Sequence, residues 1–576
     1  MTKPAGSFDL QSSDRDLFDL LLEEEELSEL SVVPPIRRHG LLAAPLSFSQ
    51  SRLWFLEQIE PGNATYNMPG RLRIDGDLQI NVLTRALVEI ARRQQSLRTS
   101  FRNVDGIGQQ VIAPVESIYS EASGYIPALV DTSNLGEPEQ SEVVRRLSAS
   151  EARTPFDLSR APLYRVSLLR SRSDHHLLFV TMHHVISDEW SLSILMRELA
   201  QLYARFAEGL PSGLEEPPVQ YSDYAVSQRD WFRGEELERQ GEYWKEALAG
   251  APSSVELPLD HPRPAQTGYE GGQITKELPQ AVAEALRQMA REQEVSLFML
   301  LLAAYEVLIF RYTGQEDFVI GTPVAGRDQI EIQGLIGFFV NMVAIRARLT
   351  TELSFSQVLD RVKKTALSAY ENQSMPFELL VEMLQPKRDL SRSSIFNVTF
   401  ALEQGLPYSI PMIGLSATPA HTSTGTAKFE LILSVVDSGP GLKAAIEYRS
   451  ALFDAETIER MIGQLQVLIE GIAAQEDGSL CSLPLLTAPE TFQLLEEWND
   501  TRARYSFDQC IHQLFERQVE LAPESMAVVF EDEQITYRAL NRRANRLAHY
   551  LRRNGVAPET TVGICLERSL KMAVTL

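Results

Sequence analysis

Apolar residues recur along most of this chain at two periods, and the two alternate. The run Leu177-Leu178-Phe179-Val180-Thr181-Met182 is apolar at almost every position, which predicts a strand buried on both faces. After Asp188 the spacing becomes helical: Leu192, Leu195, Met196, Leu199, Leu202, Tyr203 and Phe206 fall on one face, and Gly209 supplies a stop. The longest apolar stretch, Leu297 to Phe310, is interrupted by Glu306 and is too short to span a bilayer, so it reads as a buried helix. From Pro45 to about Leu485 the helical and strand patterns alternate, which predicts an α/β domain. Pro211, Gly213, Pro217 and Pro218 mark 211–218 as a crossover between lobes, and the Pro-rich stretch from Gly250 to Pro264 reads as a surface loop. At the start, Ser13 and Asp14 stand where they would cap a helix carrying Leu17, Leu20, Leu21 and Leu27, with Val32–Pro35 as an extended linker.

Composition narrows the field. A chain of 576 residues has room for two or three domains with full cores. Its net charge of -24 argues against nucleic acid as a partner, because phosphate binding needs a basic surface. Cys481, Cys510 and Cys565 are scattered and odd in number, so neither a disulfide framework nor a metal site is expected. The first residues are polar, with Asp9, Asp14 and Asp16, and show no secretory signal. A cytoplasmic protein with no membrane partner is the expectation.

The candidate chemistry sits where strand gives way to helix. His183 and His184 close the apolar run, one short loop before the helix, and open α/β sheets place their chemistry at such strand ends. Successive strand residues face opposite ways, so only one histidine can look into a given cleft. Asp188 has two readings that do not exclude each other: helix N-cap, or partner of a histidine or arginine. His175 and His176, at the strand's other end, have no acid five residues on and read as solvated loop.

The stretch His183-His184-Val185-Ile186-Ser187-Asp188-Glu189-Trp190-Ser191 resembles the signature of the condensation-domain superfamily of nonribosomal peptide synthetases, which is related to chloramphenicol acetyltransferase. Further motifs follow in family order. Leu46–Leu56 resembles the opening motif. Arg93–Phe101 resembles the second, with Gln94-Gln95 in place of the usual His-Glu. Tyr221–Val226, Ile336–Met342, Asn372–Glu378 and Arg388–Arg392 resemble later ones.

The resemblance implies two chloramphenicol acetyltransferase-like lobes forming a V-shaped pseudo-dimer with a tunnel between them. The expected parts are a leader over 1–44, a first lobe over 45–215, a second over 216–485, and a linker plus truncated adenylation fragment over 486–576. That fragment rests on Trp498–Thr501, His512–Glu516 and Ile535–Asn541, and the sequence ends before a phosphate-cradling loop, so productive ATP binding is not expected. Gly271-Gly272 is followed by Gln273-Ile274, with no serine for a phosphopantetheine arm. No cofactor is therefore expected on this chain. The 4'-phosphopantetheine arms would belong to an upstream donor and a downstream acceptor peptidyl carrier protein.

Residue roles carry over as follows. His184 is the expected catalytic group, as base or as holder of the amine, and His183 packs beside it. Asp188 is a structural carboxylate with Arg52 as candidate partner. Ser191 holds either the helix start or an oxyanion, and Gly337 and Asn341 lie beside the tunnel. The implied reaction is amide-bond formation between two carrier-bound substrates. Arg52-Leu53-Trp54 and Tyr66-Asn67-Met68-Pro69 resemble the subclass joining an L donor to an L acceptor. Glu189 stands where glycine is usual, which suggests either a favourable first-turn residue or a subclass that also dehydrates serine or threonine. A non-catalytic recruiting scaffold is the remaining alternative.

Overall fold

The computed structural model describes residues 34–576, apart from 120–125, 265–267, 385–394, 405–409, 421–424, 438, 440, 475–477 and 505–507. The expected leader helix and the whole Arg388–Arg392 motif lie outside the described residues. The chain divides into two compact units, Met1–Thr487 and Ala488–Leu576.

The first unit holds two six-stranded sheets. One runs in the order Ile410–Met412, Leu415–Ala420, Asn67–Gly76, His175–His183, Tyr164–Arg172, Ala128–Asp131. The other runs Asn341–Arg348, Asp317–Val324, Val398–Gln404, Leu431–Asp437, Leu442–Arg449, Gly271–Leu278. Each has its own core. Helices Ile80–Arg93 and Glu189–Ala207 bury Leu83, Leu87, Ile90, Ile194, Leu199 and Leu202 against the first sheet. Helix Leu297–Thr313 is buried from Met299 through Phe310 against the second, with Glu306 buried among its apolar residues. Among the described residues, no single helix is long and apolar enough to cross a membrane.

Three features differ from the sequence reading. The segment Ile410–Ala420, numbered within the second lobe, is built into the first lobe's sheet, where Leu415–Ala420 pairs antiparallel with Arg71–Gly76. The folded part of the first unit also starts before Pro45. Ala43–Pro45 pairs with Gln109–Val111, and Ile36 is buried with Tyr221, Leu335 and Phe339. Finally, His175 and His176 are not solvated loop. They open the strand His175–His183, which is paired on both sides, so His176 lies between Ile74 and Arg170 and is 1% exposed. His175 reaches Asp75 across the sheet at 2.5 Å.

The second unit, Ala488–Leu576, has a hairpin of Met526–Phe530 and Glu533–Thr536, helices including Ile511–Leu521 and Tyr537–Arg553, and a small core of Ile535, Leu540 and Leu570.

Candidate active site

The central strand of the first sheet ends at His183, a single helical turn covers His184–Ile186, and the long helix starts at Glu189. This turn distinguishes the two histidines. His183 accepts a hydrogen bond from the Val185 N–H at Nδ1, 3.1 Å away, so a neutral His183 carries its proton on Nε2. It is 3% exposed and packs edge-on to Phe156 at 6.0 Å, with Tyr66 at 6.5 Å. Burial, with the nearby cations Lys428 and Arg165, pushes its pKa down to about 3.

His184 has the opposite arrangement. Its Nδ1 lies 2.8 Å from the Ser187 carbonyl, which only accepts, so Nδ1 carries the proton and Nε2 the lone pair. Burial and Lys428 hold it well below the usual histidine range, so it is neutral at pH 7. Nε2 has no hydrogen-bond partner among the described residues. Phe338 of the second lobe packs at 4.6 Å from the ring. A neutral, oriented imidazole with an open lone pair is what a general base requires.

Asp188 is sealed from solvent and caps the helix by accepting from the Ser191 N–H at 2.8 Å. Its ion-pair partner is Arg327, not Arg52. Arg327 Nη2 lies 3.0 and 3.3 Å from the two carboxylate oxygens. The same guanidinium donates through Nη1 to the Ile332 and Leu335 carbonyls and lies 4.1 Å over Phe339. The Phe339 N–H donates to the other carboxylate oxygen at 3.0 Å. Arg52 cannot take this place because helix Phe48–Ile59 turns it outward, over Phe377 at 5.1 Å and toward Glu378 at 3.9 Å. The opening motif acts on the site through other residues: Gln50 Nε2 donates to the Val185 carbonyl at 3.1 Å, and Ser47 Oγ contacts Tyr221 Oη at 2.9 Å.

Ser191 is fully engaged. Its hydroxyl stands 2.6 Å from Asp188 Oδ1 and 2.8 Å from the Gly337 carbonyl, and it accepts from the Gly337 N–H and from Arg327 Nη2. The hydroxyl therefore holds the helix start and has no proton left for a substrate oxyanion. Gly337 is required there by space, since an added Cβ would fall 2.0 Å from the Tyr221 ring. Asn341 donates to the Gln373 and Met375 carbonyls and accepts from the Phe377 N–H, which fixes the following motif. It also lines a small open pocket with Ser49, Tyr224, Asp328 and Gln373. Gln94, where histidine is usual, joins the lobes through Glu198, the Gly334 carbonyl and the Ile336 N–H.

Glu189 is accessible to water yet walled in by protein. Glu403 of the second lobe is the largest influence raising its pKa, followed by burial. Burial also raises Glu403. A carboxyl raised by a neighbouring negative charge holds its proton to higher pH than a solvated one. Lys428 and Glu447, also from the second lobe, complete the group of charges around the histidine turn. The sequence reading missed Arg327, Glu403, Lys428 and Glu447, all of which come from the second lobe. No fixed spacing ties them to the histidine motif. Among the described residues no cluster of metal-ligating side chains occurs.

With this geometry in place, the comparisons are specific. The condensation-domain family matches residues 42–495, and the AMP-binding enzyme family matches 515–576. Malpinin synthetase of Mortierella alpina is 38% identical over 96% of this chain, and the chain spans 7% of that protein. Tyrocidine synthase 3 of Brevibacillus parabrevis is 35% identical over 96% of the chain, which is 8% of its length. The fold matches the X-domain from teicoplanin biosynthesis at a TM-score of 0.69 and 24% identity, covering 79% of this chain and all of that one. The chain spans a small fraction of its curated relatives, and it belongs to the condensation-domain family of nonribosomal peptide synthetases, acyltransferases that form peptide bonds, with the start of an adenylation domain behind it.

Proposed function

We propose that this chain joins an aminoacyl or peptidyl thioester on an upstream carrier protein to an aminoacyl thioester on a downstream carrier, both held by 4'-phosphopantetheine arms. The observation that carries this reading is the His184 tautomer: Nε2 is unprotonated, oriented by Ser187 and open beside the second lobe. The acceptor amine attacks the donor carbonyl, and a C–N bond forms while the carbonyl electron pair moves to oxygen. The amine's proton passes to His184 Nε2. The tetrahedral centre then collapses, the C–S bond breaks, and the departing thiolate takes that proton back. An α-amine with a pKa of about 8 is partly neutral at pH 7, so the base has a modest task and positioning matters as much.

The opening motif supports an L-to-L subclass. An adenylation domain adjacent in the full chain and a cytoplasmic setting complete the reading. The three exposed free cysteines fit a reducing compartment. A non-catalytic scaffold has no use for an oriented open imidazole. The test is mass spectrometry of products after mixing the protein with separately loaded donor and acceptor carriers. Absence of the amide-linked product from every carrier pair would refute the reading.

The placement of Glu189 favours a second reading on top of the first. Glu403 and burial raise its pKa to about 8, so the carboxyl carries its proton at pH 7 at the helix start that follows His184. Loss of water from a serine or threonine residue needs an α-proton removed and hydroxide protonated, one group for each transfer. Glu189→Gly then yields a product heavier by one water than wild type. Identical products from both forms across serine, threonine and alanine substrates would leave plain condensation as the whole activity.

A further inference from the structure

We propose that Lys428 is the cation that faces the oxyanion formed at the donor carbonyl, so that the second lobe supplies a catalytic group to the base on the first. This rests on the condensation reading. Lys428 precedes the strand Leu431–Asp437 and is half-buried. Its backbone is held on both sides: the carbonyl accepts from Arg449 Nη2 at 2.9 Å, and the N–H donates to the Glu447 carboxylate. Its side chain crosses to the first lobe, where Nζ lies 5.7 Å from the centre of the Tyr66 ring. Tyr66 packs near His183, and Asn67, next in sequence, pairs with His183 in the sheet register. The ammonium therefore stands beside the strand end that carries His184.

Among the described residues, nothing lies within ion-pair or hydrogen-bond distance of that ammonium. Enclosed positive charge with three unspent donors requires an anionic partner or water. Burial lowers the Lys428 pKa, and Arg52 adds to that, while Glu447 and Glu189 favour the charged form at longer range without binding it. The other candidate for an oxyanion contact, the Ser191 hydroxyl, is committed to Asp188 and Gly337. Attack of the amine creates negative charge one bond from the carbon and near the base that takes the proton. A lysine facing that oxygen is stronger in the transition state than with the neutral thioester.

The experiment is single-turnover transfer between loaded carriers for wild type, Lys428→Met and Lys428→Arg, with melting temperatures as the folding control. Lys428→Met should lower the rate at saturating carriers by about 100-fold with half-saturation unchanged, and Lys428→Arg should retain most of the rate. A Met variant within about threefold of wild type, or a loss confined to half-saturation, would overturn the proposal. So would a loss seen only with acidic acceptor side chains, which would make Lys428 a specificity residue. If wild type itself forms no product, the condensation reading fails. A second measurement on wild type keeps the lysine testable in that case, and also if Lys428→Met does not fold. A pantetheine-linked phosphonate, tetrahedral and anionic, should bind at least about tenfold tighter than the neutral amide. Equal affinities would sink the assignment.

Discussion

Replacing Arg327 by methionine tests the internal support of the histidine turn. The substitution keeps an aliphatic stem against Phe339 and removes the charge. Asp188, fully buried, then keeps the Phe339 and Ser191 donors and loses its counter-ion. Breaking a buried pair by removing one partner costs about 3–5 kcal/mol. The unit that carries it contains 487 residues. At about 2.1 cal/mol/K of unfolding entropy per residue, such a unit has roughly 1 kcal/mol/K in total, so Tm falls by about 3–5 °C. Arg52→Met is the control. Its side chain is 33% exposed and 3.9 Å from Glu378, and exposed pairs contribute at most about 1 kcal/mol, so Tm should move by no more than about 1 °C. The assay is differential scanning calorimetry of both variants, with Asp188→Asn and the Arg327/Asp188 double variant to complete a cycle. The double variant should be less destabilised than the sum of the singles. Strict additivity, or a larger loss from Arg52→Met than from Arg327→Met, would refute the pairing.

Two further outcomes follow from the charges in the cleft. Glu189 ionises in the folded protein well above the ordinary carboxylate range, so the unfolded chain releases that proton first as pH rises. Stability therefore falls across that interval, and Glu189→Gln should raise Tm at pH 9 while changing it little at pH 5. A pH-independent difference in melting curves would count against the electrostatic influence of Glu403 on Glu189. His184 stays neutral through the usual histidine range, so log kcat/KM for transfer should rise with unit slope up to the acceptor amine's pKa of about 8. A second break near about 6.5, with a slope of two below it, would show that the imidazole titrates normally.

What the sequence disclosed was local, and what it concealed was long-range. The buried strand, the helix after Asp188 and the helix Leu297–Thr313 are each written in a periodicity that packing enforces. The cap role of Asp188 was legible because the N-cap needs an acceptor three residues before a helix N–H. Its counter-ion was not. Arg327 lies 139 positions away in sequence, and nothing in a Gly-Arg-Asp turn distinguishes it from a surface arginine. His176 was misread for the complementary reason: pairing with neighbours on both sides extends a strand past the point where its apolar pattern ends. The transfer of Ile410–Ala420 into the first lobe's sheet is likewise a matter of partner strands, which local composition does not encode.

The central claim is that His184 Nε2, and not His183, receives the proton during transfer. Single-turnover amide formation between loaded carriers, followed by intact-protein mass spectrometry for His184→Ala and His183→Ala beside wild type, tests it most directly. His184→Ala should fold normally and lose at least about 100-fold in rate, within the range general base catalysis supplies. His183→Ala should lower Tm, because the Val185 N–H loses its acceptor, and keep most of the rate per folded molecule. Wild-type turnover by His184→Ala, alongside an inactive but fully folded His183→Ala, would contradict the account.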